Sequence, residues 1–134
     1  MPIKYELSED LQKLVNGIAL LLFPYVKLDS VVVIKSFGSK TRGTIARCHA
    51  LGKAMQLGMG RKCGFYVIEI ISRRFDKLSE EDKIKTLIHE LMHIPKSFGG
   101  GFKHHDWVCE KNVEREYQRY TNLKKMQFLN QNEI

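Results

Sequence analysis

The sequence predicts an α+β domain, and three observations carry that prediction. An amphipathic helical stretch opens the chain, three strand-like runs follow between positions 30 and 71, and two more helical stripes close it. At 134 residues the whole chain, 1–134, is the size of one domain that buries a core without disulfide or metal staples.

Residues 8–23, SEDLQKLVNGIALLLF, begin with a capping serine and two acids. Apolar residues then recur at Leu11, Leu14, Val15, Ile18, Leu21 and Leu22, which predicts a helix with one buried face, stopped by Pro24. Three strands are expected next, about three in all: SVVVIKS at 30–36, TIARCHAL at 44–51 and FYVIEII at 65–71. FGSKTRG separates the first two as a turn, and GKAMQLGMGRKCG reads as a polar, glycine-rich loop before the third.

Ser79 followed by Asp82 marks a second helix start, and Pro95 ends that helix by forcing Ile94 out of the α region. A last helix runs from Asp106 to about Leu123, with Val108, Cys109, Val113, Tyr117 and Tyr120 on one stripe. Residues 124–134 read as a loosely ordered tail.

Composition narrows the function classes. With 43% hydrophobic and 28% charged residues the chain has the make-up of a water-soluble globular protein, and its longest apolar run, between Ile18 and Phe23, is far too short to span a bilayer. The start, MPIKYELSED, lacks the basic, apolar and small-residue regions of a secretory signal, so a cytoplasmic protein is expected. Cys48, Cys63 and Cys109 form no CxxC pair and are expected to be buried thiols. The net charge of +7 is uneven: ten of the 22 Lys/Arg but only two of the 15 acids fall between Lys35 and Lys77. That half suits acidic partners, nucleic acid among them, although such residues also keep a sheet soluble.

The chemistry concentrates in TLIHELMHIPKSFGGGFKHHD, residues 86–106. On a helix, Leu87, Ile88, Leu91 and Met92 share an apolar arc with Ile84. His89 and His93 fall on the opposite side, about 40° apart and roughly 6 Å apart along the axis. A core histidine would share the apolar face. Two imidazoles one turn apart instead converge on a single ion, and Glu90 beside them reaches a water on it; this is the HExxH pattern of a zinc site.

A third ligand must come from downstream. Pro95 stops the helix, and Gly99, Gly100 and Gly101 permit a chain reversal that returns a histidine over the helix face. His105 ranks first, with His104, Glu114 and Asp106 as the other donors. A third histidine six positions after His93 is excluded because Gly99 stands there. In a catalytic site of this kind one Zn2+ per chain activates water and Glu90 takes its proton. His104, Lys103, Tyr117 and Tyr120 are candidate oxyanion donors, although packing is the expected role of the tyrosines. His49, on a strand, is expected to be structural or exposed.

The run HELMHIP, then SF and GG, then a nearby histidine, together with ARCHAL and FYVIEI upstream, resembles a family of small archaeal and phage-type metallopeptidases. These are minimal HExxH zincins, similar in layout to SprT-like proteases, and the resemblance covers roughly residues 30–106. It implies that His89 and His93 are ligands, Glu90 is the general base, and the histidine after the glycines, best matched by His105, is the third ligand. It also implies a zincin-like layout in which the strand before the metal helix, here 65–71, borders the cleft and pairs with an extended peptide or protein substrate.

No zinc-ribbon of the kind found beside many SprT-like proteases occurs in these residues, so action at DNA rests on the basic half alone. The expected activity is zinc-dependent peptide hydrolysis without membrane involvement. The competing readings are a zinc-stabilised binding module associated with nucleic acid, and a regulator protease specific for one partner.

Overall fold

The computed structural model describes residues 2–132. Ser8 caps the first helix, accepting from Leu11 N–H, and Glu9 and Asp10 sit in its first turn against the positive end of the helix dipole. That helix, α1 (Glu9–Leu22), buries Val15, Ile18, Ala19 and Leu22 and ends ahead of Pro24, as its pattern dictates.

Four strands form one mixed sheet: β1 (Lys4–Leu7), β2 (Val31–Phe37), β3 (Ala46–Ala50) and β4 (Tyr66–Ile71), in the order β1-β2-β4-β3. β2 and β4 are parallel, and the two outer pairings are antiparallel. The expectation of about three strands is therefore corrected to four. β1 escaped the sequence reading although Ile3, Tyr5 and Leu7 alternate with Lys4 and Glu6: the run is short, and all four strand residues are exposed, so no buried face marks it. It is short for a visible reason: beyond Ser8 the side chain of Gln12 takes over the β2 edge, donating to Val31 C=O (2.9 Å) and accepting from Val33 N–H (2.8 Å).

One face of the sheet carries the core. Val31 and Val33 of β2 and Tyr66, Ile68 and Ile70 of β4 are buried with the apolar faces of α1 and the later helices. Two helical segments stand where sequence indicated loop or gave no signal: α2 (Lys53–Gly58) and the single turn α3 (Ser72–Phe75) that follows β4 directly. α4 (Glu80–Met92) starts at Ser79, whose hydroxyl accepts from Asp82 N–H, and buries Leu87, Ile88, Leu91 and Met92.

α5 (Glu110–Asn132) begins later than Asp106 and continues well past Leu123. No proline or glycine interrupts it, so helix propensity carries it on although its side chains from Lys124 to Gln131 are exposed. The three cysteines are free and half-buried rather than buried. Among the described residues no helix is long and apolar enough to cross a membrane.

The strand expected to border the cleft does not. β4 is paired on both sides, by β2 and β3, and has no main-chain groups free for a further strand. The open edge beside α4 is β3. Leu51 N–H donates to Phe65 C=O and Ile71 N–H to Ile45 C=O, so the odd-numbered residues of β3 bond to β4. The N–H and C=O groups of Ala46, Cys48 and Ala50 point outward.

Candidate metal centre

α4 puts His89 and His93 one turn apart, and the ring centroids lie 5.1 Å from each other. Its last turn ends at His93, and the chain then returns over its own helix. Lys103 N–H donates to His93 C=O (2.7 Å), and Lys103 C=O accepts from His93 Nδ1 (2.6 Å). Phe102 stacks on the same imidazole with centroids 4.5 Å apart. The return brings His105 to 5.0 Å from His93 and 5.6 Å from His89, ring to ring. One ligand nitrogen from each of the three histidines lies within 4.8 Å of the others.

The loop is held by groups that motif reading did not single out. Tyr66, buried in β4, donates through its hydroxyl to Gly101 C=O (2.8 Å) and accepts from Gly100 N–H (3.0 Å). Gln56, buried in α2, donates to Leu51 C=O and Gly99 C=O, tying the glycine loop to the end of β3. Two glycines are required outright. A Cβ on Gly64 would stand 2.7 Å from Gly100 N, and Gly100 has φ +96° with Leu51 O 2.8 Å from where its Cβ would be. Of the triple glycine only Gly100 uses the left-handed region, which Phe98 also enters at φ 51°. The glycine directly before FYVIEII, Gly64, and a lone Gln in a glycine-rich stretch were the signals available, and neither has a motif.

Electrostatics favour neutral imidazoles at His89 and His93. Burial, then the neighbouring His93 and His105, lower the His89 pKa to about 4; burial also lowers that of His93, against the opposing pull of the Lys103 carbonyl. Neutral imidazole is the metal-binding form, and a carbonyl fixing Nδ1–H leaves Nε2 of His93 free to bind. Glu90 is 4% exposed and its Oε2 has no hydrogen-bond partner among the described residues; burial raises its pKa to about 7. Burial, then the charge of Glu90, pushes the Cys48 thiol up to about 12, so that thiol stays protonated at neutral pH.

The other donors fall elsewhere. Glu114 accepts from Lys85 Nζ (2.6 Å) and from Gln118, joining α5 to α4 rather than the histidines. Asp106 is exposed and accepts from Trp107 N–H. His104 lies outside the three-histidine cluster, and its carbonyl accepts from Trp107 and Val108 N–H. Lys103 places Nζ over the Trp107 ring, Tyr120 is buried in the core, and Tyr117 lies under Lys85. The exposed His49 ring bonds to the buried Glu69 carboxylate at 2.8 Å.

His89 and Glu90 open onto a groove of about 630 Å³. Residues 43–46, on the approach to and start of β3, form one wall, and Asp82, Lys85 and Glu114 lie along the others. Three of the ten basic residues between Lys35 and Lys77 are tied into the fold: Lys35 pairs with Asp76, Arg61 donates to Ser30 and Gly64, and Arg74 holds Thr41 C=O.

A family model described as "Putative phage metallopeptidase" matches residues 3–129. No curated protein and no solved structure matches the chain.

Proposed function

The chain belongs to this phage metallopeptidase family, and from that premise we propose that it is a zinc-dependent peptidase with His89, His93 and His105 as ligands and Glu90 as general base. The observation that carries the reading is one arrangement: three histidines whose ligand nitrogens lie within 4.8 Å of one another, beside a buried carboxylate whose Oε2 has no partner among the described residues. An all-imidazole donor set fits a divalent transition metal, and a three-ligand site leaves a position open. An orphaned buried carboxylate is costly in a merely structural site and useful in a catalytic one.

When bound, zinc in such a site supplies Lewis-acid polarisation and lowers the pKa of a water towards about 7. Glu90 then takes the proton of the attacking water at its carboxylate and delivers it to the departing amine. Its burial matches that task, because a base near neutrality both accepts and returns a proton. The groove wall at residues 43–46 leads into β3, whose outward N–H and C=O groups at Ala46 and Cys48 suit an extended peptide added as a further strand. Main-chain pairing of that kind grips peptide substrates irrespective of side chain. The substrate class is accordingly an extended peptide or unfolded protein segment.

Glu90→Gln tests the reading. Hydrolysis of an unfolded protein substrate is expected to fall by a factor of about 10²–10⁴ while bound zinc stays at the wild-type level. Undiminished cleavage by the variant would remove Glu90 from the mechanism, and zinc-loaded wild type inert on every unfolded substrate offered would count against peptidase activity.

A further inference from the structure

The sheet has a second open edge, β1, at the far side from the groove. We propose that β1 pairs antiparallel with β1 of a second copy, giving a two-fold dimer with one continuous eight-stranded sheet.

The hydrogen-bond parity permits it. Ser8 N–H donates to Val33 C=O, and in an antiparallel ladder that assigns Lys4, Glu6 and Ser8 to β2. The N–H and C=O groups of Tyr5 and Leu7, and of Ile3 before them, are left facing outward. A two-fold axis at Tyr5 sets Tyr5 opposite the partner's Tyr5 and Ile3 opposite the partner's Leu7, all through those outward groups.

The side chains fit the same register. Lys4 then stands opposite the partner's Glu6, and Glu6 opposite the partner's Lys4, at the non-hydrogen-bonded positions where cross-strand side chains come closest. Among the described residues neither forms an ion pair; Lys35, across the ladder from Glu6, turns to Asp76 instead. On the other face of the strand Ile3, Tyr5 and Leu7 are 42%, 56% and 77% exposed, and the register lines up three apolar cross-strand pairs.

A short charged edge usually discourages pairing, since one lysine opposes another. Here the I-K-Y-E-L order makes the edge complementary to itself in one register. The two-fold pairing is also closed, and both β3 edges with their grooves stay free at the outer ends. Space is available because Gln12 anchors α1 over β2. The two β2 strands of the dimer lie about 14 Å apart, which exceeds the helix diameter of roughly 10–12 Å.

The area is modest, so association is expected to be weak and must be followed in sedimentation velocity over a concentration series reaching about 1 mM. Wild type is expected to approach twice the 15.6 kDa chain mass. Tyr5→Pro removes an outward N–H without touching a β2 bond; it should remain monomeric with an unchanged Tm. Lys4→Glu and Glu6→Lys should each weaken self-association by about tenfold or more, and an equimolar mixture of the two should recover dimers, since unlike chains then present opposite charges. Recovery on mixing cannot come from misfolding of either variant. Wild type that stays monomeric throughout, Tyr5→Pro that dimerises as well as wild type, or a mixture no stronger than its components overturns the proposal.

Discussion

The two sides of the proposed metal centre are built on different principles. The helix side, His89 to His93, follows from local rules: a cap, an apolar face, and two imidazoles one turn apart. The loop side, from Ile94 to His105, rests on contacts with residues far away in sequence: Tyr66 in β4, Gln56 in α2 and Gly64 between them. Secondary structure thus brings two of the proposed ligands together almost without help, while the third needs the rest of the fold. His93 stands at the junction and belongs to both.

His89→Ala and His93→Ala sharpen that contrast most strongly. Each should reduce zinc affinity beyond the roughly 100-fold ceiling typical of changes behind a ligand. They should differ without metal. Among the described residues His89 has no side-chain hydrogen bond to lose, whereas His93 is 3% exposed, stacked by Phe102 and bonded to Lys103 C=O. Metal-free His93→Ala should lose about 1–3 kcal/mol in a denaturant titration, and metal-free His89→Ala much less.

Gly100→Ala breaks the loop side alone. At φ +96°, with its Cβ driven against Leu51 O, the variant should lose more than about 1 kcal/mol and about 10–100-fold in zinc affinity, while helical circular dichroism is retained. Wild-type affinity in calorimetry would show that the glycine loop does not set the third ligand.

Tyr66→Phe is milder, removing one hydroxyl that serves both Gly100 N–H and Gly101 C=O. Stability should fall by about 1–3 kcal/mol because those buried groups lose their partner, and zinc affinity by less than in Gly100→Ala. Ser79→Ala should have the smallest effect on the site. Loss of the cap costs about 1 kcal/mol, and zinc affinity should stay at the wild-type value, since the change lies at the far end of α4.

What the sequence disclosed follows the same division. The α1 and α4 patterns, their caps and the facing imidazoles are local and were readable. The doublet His104-His105 was not decidable, because the register depends on Lys103 closing onto His93 and on the turn by which His104 C=O takes Trp107 and Val108 N–H. Strand order was equally hidden: FYVIEII has the strongest strand signal because it is central and buried, and for that reason it cannot border the groove, which falls to the half-exposed β3. β1 carries no buried residue and alternates over one short run only, Ile3 to Leu7, and α2 is flanked by glycines, so neither stood out as an element. Glu114 stood at an eligible spacing, yet Lys85 of α4 claims its carboxylate.

The most direct test of the three-histidine centre is the zinc content of wild type, His104→Ala and His105→Ala, measured by mass spectrometry on protein purified without added metal. The account predicts near one zinc per chain in wild type and His104→Ala and a selective loss in His105→Ala. Zinc retained in His105→Ala and lost in His104→Ala, or absent from wild type even after zinc is offered, would contradict it.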